Sequence, residues 1–157
     1  MRAVLCARGP EDARPEASAL GQAARGSTVL LLRYAPRWSD AAEVEAAFLV
    51  LEPLAGAPPV QGPVRVELAR VLEPWSAESA TWARQPRLGL PALAATLRSA
   101  PPGPLRLEVT HIVRGWAKRP RGEHGIAVLA SGEDPFGAVF TSGRSDGQPP
   151  RLEVYLR

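Results

Sequence analysis

Apolar and polar residues alternate strictly in three separate stretches of the chain, at 64–68, 105–109 and 151–157. A period of two places one set of side chains on a buried face and the other set in solvent, which predicts half-buried strands of an antiparallel sheet. Two further stretches, 29–32 and 44–51, are apolar on both faces, as is typical of central strands. The Ala and Leu content of 44–51 leaves a helix as the alternative for that stretch.

The apolar members of the three alternating stretches are expected to face one shared core, because a slip of one residue would bury Arg and Glu instead. They are Val64, Val66, Leu68, Leu105, Leu107, Val109, Leu152, Val154 and Leu156. Turn-forming residues bound two more short strands, at 125–129 and 138–141, and fill a loop at 55–63.

One short helix is predicted near residues 110–117. Thr110 is placed to act as its N-cap, and Val109, Val113 and Trp116 share one helical face. Pro120 is expected to end it. Helices do not alternate with the strands, so a parallel sheet is disfavoured and the pattern predicts an all-β, antiparallel domain.

Composition agrees with one domain covering residues 1–157. Seventeen Pro and fourteen Gly make the chain turn-rich. The single cysteine, Cys6, excludes an intramolecular disulfide and a cysteine-based metal cage. The N-terminal apolar stretch is too short for a signal peptide, and no apolar run has the length of a membrane span, so a leaderless, cytoplasmic protein without a membrane span is expected.

Four groups of residues together resemble the DNRLRE domain family. The longest is 64–86, Val-Arg-Val-Glu-Leu-Ala-Arg-Val-Leu-Glu-Pro-Trp-Ser-Ala-Glu-Ser-Ala-Thr-Trp-Ala-Arg-Gln-Pro. The others are 107–116 (Leu-Glu-Val-Thr-His-Ile-Val-Arg-Gly-Trp), 124–128 (His-Gly-Ile-Ala-Val), and 140–142 followed by 149–155. With the strands at 31–34 and 44–51, the similarity keeps the family's order from Leu31 to Tyr155.

This resemblance implies a jelly-roll-like β-sandwich. Members of the family are usually attached to secreted or surface proteins, and some are assigned as carbohydrate-binding modules. The chain departs from the family in having Ser142-Gly143-Arg144-Ser145-Asp146 where a Ser-Arg-Glu element is expected. It also keeps only Pro86 of the Asn-x-x-Pro element.

Tryptophan is the residue type that most suggests a sugar ligand, since an indole face can stack on a pyranose ring. Trp75, Trp82 and Trp116 fall on the motif positions and are interpreted as packing anchors. Trp38 lies outside the motifs, and its alternatives are a lid over the core and an exposed binding platform.

The sequence gives little support for a catalytic site or a metal site. Glu78, between two tryptophans, lacks an identifiable second carboxylate across a glycosidic bond, so no catalytic residue is assigned. His111 and His124 lie apart in sequence without further ligands, so no metal site is assigned. A structural calcium ion is a weak alternative, through the acidic residues Glu11, Asp12, Glu16, Glu133 and Asp134.

The densest positive cluster is Lys118-Arg119-Pro120-Arg121, which we name the basic tip. Its alternatives are a solvated loop and a site for an acidic polysaccharide, a phosphate-rich polymer or an acidic protein surface. With a formal net charge of +3, the chain suits an anionic partner, although nucleic-acid binding would require more concentrated charge or a reading helix. Lys118, Arg119, Arg121 and Trp38 are therefore the candidate ligand-binding residues of a non-catalytic module for a polysaccharide or other anionic cell-envelope polymer. The alternative is a structural or decorating subunit of a particle assembled inside the cell, of the phage-tail or contractile-injection type.

Overall fold

The computed structural model describes residues 2–7, 17–20, 28–34, 43–57, 59–81, 83–99, 103–119, 123–132, 138–141 and 148–157. Its elements in chain order are β1 (Arg2–Ala7), β2 (Ala17–Leu20), β3 (Thr28–Arg33), β4 (Val44–Leu51), β5 (Val64–Arg70), β6 (Ala92–Leu97), β7 (Leu105–Glu108), α1 (Thr110–Lys118), β8 (Ile126–Gly132), β9 (Ala138–Thr141) and β10 (Arg151–Leu156). Every strand pairing among them is antiparallel. The predicted all-β sandwich with one short helix is confirmed.

The strands form two larger sheets and one small ribbon. The five-stranded sheet has the order β1-β3-β8-β5-β6, the three-stranded sheet has the order β10-β4-β7, and β2 pairs with β9. The chain crosses between the two larger sheets from β3 to β4, from β4 to β5, from β6 to β7 and, through α1, from β7 to β8. The stretch 44–51 is a strand, so the helical alternative for it is wrong.

The main core lies between the two larger sheets, and the alternating stretches supply much of it. Val64, Val66 and Leu107 are at most 1% exposed. Leu105, Leu152 and Val154 are partly buried against the same core. Leu156 is the exception to the prediction, at 49% exposed, because the register of β10 against β4 shifts between Tyr155 and Leu156 at the end of the strand.

A second, smaller core covers the outer face of the five-stranded sheet. Residues 72–88, which we name the outer loop, carry Trp75 and Leu88 onto apolar side chains that point away from the main core, among them Leu31 and Val71. Trp75 is 9% exposed, and its Nε1–H donates a 2.7 Å hydrogen bond to the backbone oxygen of His124. Trp75 and Trp116 are buried, as predicted for packing anchors. Trp82 lies outside the described residues.

Helix α1 begins at Thr110, with Val109 as its N-cap, so the prediction that Thr110 caps the helix is wrong. The Thr110 hydroxyl instead accepts a 2.9 Å hydrogen bond from the backbone N–H of Ala47 in β4. The backbone N–H of Thr110 donates to the carboxylate of Glu108. The hydroxyl therefore joins the helix to the three-stranded sheet. Within the described part of the chain, no helix is long and apolar enough to cross a membrane.

Candidate functional site

Helix α1 covers one end of the sandwich, which we name the helix end. In the five-stranded sheet, Leu32 of β3, Ile126 of β8 and Arg70 of β5 lie side by side in one row near this end. In the other sheet, β4 begins here, and the Arg114 guanidinium of α1 donates 2.8 Å hydrogen bonds to the backbone oxygens of Val44 and Glu45. The helix end therefore brings together chain segments that are far apart in sequence.

The described part of the basic tip projects from this end. Lys118 is in the last turn of α1, and both Lys118 and Arg119 are exposed. The backbone N–H of Arg119 donates to the backbone oxygens of Gly115 and Trp116 and so closes the helix. Two cations at a helix C-terminus also offset the negative end of the helix dipole. Arg121, Pro120 and Trp38 lie outside the described residues, so the assignment of the site remains a prediction.

The structure adds Arg70 to this end, a residue that sequence reasoning did not select. Its guanidinium packs on the helix: a Cβ atom placed at Gly115 would lie 3.6 Å from Nη1 and 3.7 Å from Cζ of Arg70. The Nε atom of Arg70 is buried without a hydrogen-bond partner. No carboxylate of the described residues forms a salt bridge with Arg70. A cation of this kind can attract an anion from outside the chain.

Four further residues lie just beyond the row of Leu32, Ile126 and Arg70, where β3 ends and β8 begins. Arg33 ends β3 and Tyr34 follows it, while Glu123 and His124 are separated from the start of β8 by Gly125. Burial raises the pKa of the Glu123 carboxyl, and the neighbouring positive charge of Arg33 partly opposes that rise. Burial also raises the pKa of the Tyr34 hydroxyl, which is therefore a neutral donor throughout the physiological range.

The charge at the helix end is positive. The segments 33–34, 44–45, 114–119 and 123–124, together with Arg70, carry five arginine or lysine side chains and two carboxylates, those of Glu45 and Glu123. Within the ranges that the structure describes, no group of three His, Cys, Asp or Glu side chains is placed to hold a metal ion. The calcium candidates Glu11, Asp12, Glu16, Glu133 and Asp134 lie outside those ranges. The chemistry of the helix end is therefore that of hydrogen-bond donors and cations.

The outer face of the three-stranded sheet carries aromatic residues, but they are engaged with one another. Arg106 lies 4.3 Å above the ring of Phe48, and that ring meets Tyr155 edge to face at 6.1 Å. The same guanidinium pairs with Glu153 at 2.9 Å and donates to the Tyr155 hydroxyl. Arg151 pairs with both Glu52 and Glu153. This network satisfies its own charges and is interpreted as structural.

Two depressions open on the side of the five-stranded sheet. One, of about 240 Å³, lies in the outer loop beside Trp75 and Arg84. The outer loop is held by its own hydrogen bonds, among them Ser79 N–H to Ser76 Oγ and Arg87 N–H to Glu73 Oε1. The second, of about 580 Å³, is a shallow groove whose lining includes the exposed Leu93 of β6. Neither depression contains a buried polar atom without a partner.

Comparison with known proteins does not assign a family. No family model matches the chain, and a search of curated proteins finds no match.

Proposed function

We propose that this chain is a non-catalytic recognition module of the DNRLRE type that binds an anionic polymer, such as an acidic polysaccharide of a cell envelope, at the helix end. The observation that carries the proposal is the guanidinium of Arg70. It lies against Gly115, has no carboxylate partner among the described residues, and is accompanied at the same end by the exposed side chains of Lys118 and Arg119.

The position of the exposed cations suits a polymer better than a small molecule. Lys118 and Arg119 are exposed at the C-terminal end of α1, so their charges are available to a chain passing over the surface. Exposed charges act over roughly 8 Å at physiological ionic strength. Successive anionic groups of a polymer can therefore be attracted together.

The test is the affinity of the full chain for alginate, heparin and duplex DNA at two salt concentrations. If the three cations of the basic tip each contact a phosphate, affinity for DNA should fall ~40-fold between roughly 50 and 200 mM salt. Replacing Lys118, Arg119 and Arg121 together by Ser should weaken binding to the preferred polymer and reduce its salt dependence. Preference for DNA over both polysaccharides would overturn the polysaccharide assignment.

A matched control removes the same amount of charge elsewhere. Arg65, Arg84 and Arg98 are exposed on the side of the five-stranded sheet. Arg65 and Arg98 lie near the start of β5, at the end of that strand opposite Arg70. Both triple variants lower the formal net charge from +3 to 0, since each removes three positive charges. The proposal requires the basic-tip variant to lose affinity and the control variant to retain it. Equal losses would indicate attraction to net charge alone and would overturn the assignment of the site.

The alternative, a subunit of a larger assembly, is favoured by one observation. Strand β6 is an edge of the five-stranded sheet, and its six residues, Ala-Leu-Ala-Ala-Thr-Leu, include no charged side chain. Leu93 of this strand is 58% exposed. Uncharged edge strands are prone to pair with another chain. Sedimentation velocity over a range of protein concentrations tests this role, and a protein that stays monomeric at the highest concentration would contradict self-assembly.

A further inference from the structure

We propose that an inner site behind the basic tip binds one oxyanion, such as a sulfate, phosphate or carboxylate group, against the guanidinium of Arg70. This inference rests on the proposed function, since the group would be a substituent of the anionic polymer. It identifies which part of the ligand the protein recognises at close range. The site is built from groups that the exposed surface of the basic tip does not include.

Unsatisfied polar atoms occur in each of the segments that meet at the helix end. Five side-chain atoms of the described residues are buried and have no hydrogen-bond partner: Tyr34 Oη, Arg70 Nε, Trp116 Nε1, Glu123 Oε1 and His124 Nδ1. Buried polar groups in native proteins are nearly always paired, so a group of exceptions in one place requires an explanation. All five belong to the segments that meet where β3 and β5 end, β8 begins and α1 packs.

The sheet register brings these segments together. Arg70 is paired with Ile126, which in turn is paired with Leu32, so the residues that follow Leu32 and precede Ile126 extend beyond the same row. Gly125 is fixed in this position because its backbone oxygen accepts a hydrogen bond from Val71 N–H at 3.0 Å. His124 is fixed because its backbone oxygen accepts the bond from the Trp75 indole.

Three of the five unsatisfied atoms belong to hydrogen-bond donors, which favours an anion as the ligand. The Nε–H of Arg70 and the Nε1–H of Trp116 can only donate, and the Tyr34 hydroxyl is a neutral donor. The imidazole of His124 donates from Nδ1 in one tautomer. Burial raises the pKa of the Glu123 carboxyl, which shifts it towards the protonated form that can donate. An oxyanion offers several acceptor lone pairs to such donors. Charge-assisted hydrogen bonds of guanidinium to an oxyanion are the strong ones.

The site can be tested without the polymer, by titrating the full chain with sodium sulfate, phosphate and acetate at constant ionic strength held with chloride. Binding is measured by isothermal titration calorimetry and by the rise in thermal unfolding temperature that a native-state ligand produces. At least one oxyanion should bind saturably, and the three salts distinguish a tetrahedral group from a carboxylate. If sulfate, phosphate and acetate give no more binding heat and no higher unfolding temperature than chloride, the inference is overturned.

Variants of Arg70 and Tyr34 test whether these residues bind the oxyanion. Arg70→Gln should weaken oxyanion affinity about tenfold or more, because a bond from a charged donor is lost. Tyr34→Phe removes only the hydroxyl and should weaken affinity about threefold to tenfold, which keeps the test valid if Arg70→Gln folds poorly. Arg65→Gln, on the outer face of β5, is the control and should bind as the wild type does. If both Arg70→Gln and Tyr34→Phe bind the oxyanion as tightly as the wild type does, the proposed site is refuted.

The outcome separates this inference from the proposed function. If the basic-tip triple variant loses the polymer while sulfate still binds to it, both proposals stand as two parts of one surface. If Arg70→Gln retains full affinity for the polymer and for sulfate, the inner site is refuted and the basic tip alone carries recognition.

Discussion

Gly125 is the position where one added methyl group should be most damaging. Its φ is +117°, a backbone conformation that L-amino acids with a side chain rarely adopt. A Cβ atom built there would lie 2.3 Å from the backbone oxygen of Leu32 and 3.2 Å from its carbonyl carbon. Leu32 is fully buried and pairs with Ile126 in the β3–β8 ladder. A Cβ atom at position 125 could therefore be accommodated only if the central strand β3 moved.

The expected cost of Gly125→Ala combines two effects. Backbone strain at a sparsely populated φ contributes about 1–3 kcal/mol. Forcing extra volume into a packed region contributes about 1–3 kcal/mol more. A total of about 4 kcal/mol is a large part of the ~5–15 kcal/mol that typically stabilises a domain. At roughly 2–4 °C per kcal/mol for a chain of this size, the unfolding temperature should fall by about 8–16 °C.

Two other glycines separate the two effects. Gly56 has a φ of +73° but nothing within 4 Å of a Cβ. Gly56→Ala should therefore lose only the free energy of unfolding that backbone strain costs, about 1–2 kcal/mol. Gly62 has neither a positive φ nor a close neighbour, so Gly62→Ala should change the free energy of unfolding by no more than about 1 kcal/mol, if anything as a gain. Urea denaturation followed by tryptophan fluorescence measures all three. If Gly125→Ala is no less stable than Gly56→Ala, the reasoning about the close approach to Leu32 is wrong.

Four further predictions concern the helix end and its supports. Gly115→Ala should raise stability by about 0.5–1 kcal/mol in urea denaturation, because the new Cβ meets only ordinary contacts and alanine favours a helix; a loss would contradict this. Thr110→Val leaves a buried backbone N–H of β4 unpaired and should cost about 1–3 kcal/mol, whereas Thr110→Ser, which keeps the hydroxyl, should cost less. Trp75→Phe loses its indole hydrogen bond and should lower the unfolding temperature without changing the far-ultraviolet circular dichroism; unchanged stability would show that the bond contributes nothing. Burial raises the pKa of Glu123 from 4.5, so folding favours its protonated form. The stability that this group contributes is present below pH 4.5 and is lost as pH rises through the folded-state pKa. Glu123→Gln should remove that part of the pH dependence of stability, measured by urea denaturation at several pH values.

The strands that alternate strictly could be predicted from sequence because the pattern encodes the burial directly. In 64–68, the buried positions Val64, Val66 and Leu68 alternate with Arg65 and Glu67, and β5 follows that pattern. Strand β6 could not be predicted in the same way. Its residues are mostly exposed and mostly alanine, so neither alternation nor β-propensity marks them. Its strand conformation comes from pairing with β5, which is a tertiary effect.

The basic tip could be selected from sequence because its residues are adjacent, whereas the inner site could not. Arg70 ends a strand of ordinary alternation, and nothing in the local sequence distinguishes it from Arg65, which forms a surface pair with Glu67 at 3.8 Å. What distinguishes Arg70 is its neighbour Gly115, which is 45 positions later in the chain. Contacts of that kind depend on how the strands and the helix are connected, which alternation does not encode.

Two of the tryptophans that carry the family resemblance are core residues in this structure. Trp75 and Trp116 are the most recognisable residues of the chain, and both are buried in cores. Their role is to hold backbone in place: the indole of Trp75 fixes the carbonyl of His124, and Trp116 anchors the helix whose Gly115 contacts Arg70. A ligand with one anionic group per repeat would meet cations near the backbone that Trp75 holds in place, without touching Trp75 itself. Stability and affinity should therefore respond to different residues at the same end of the molecule, and the substitutions at Trp75 and Arg70 measure the two separately.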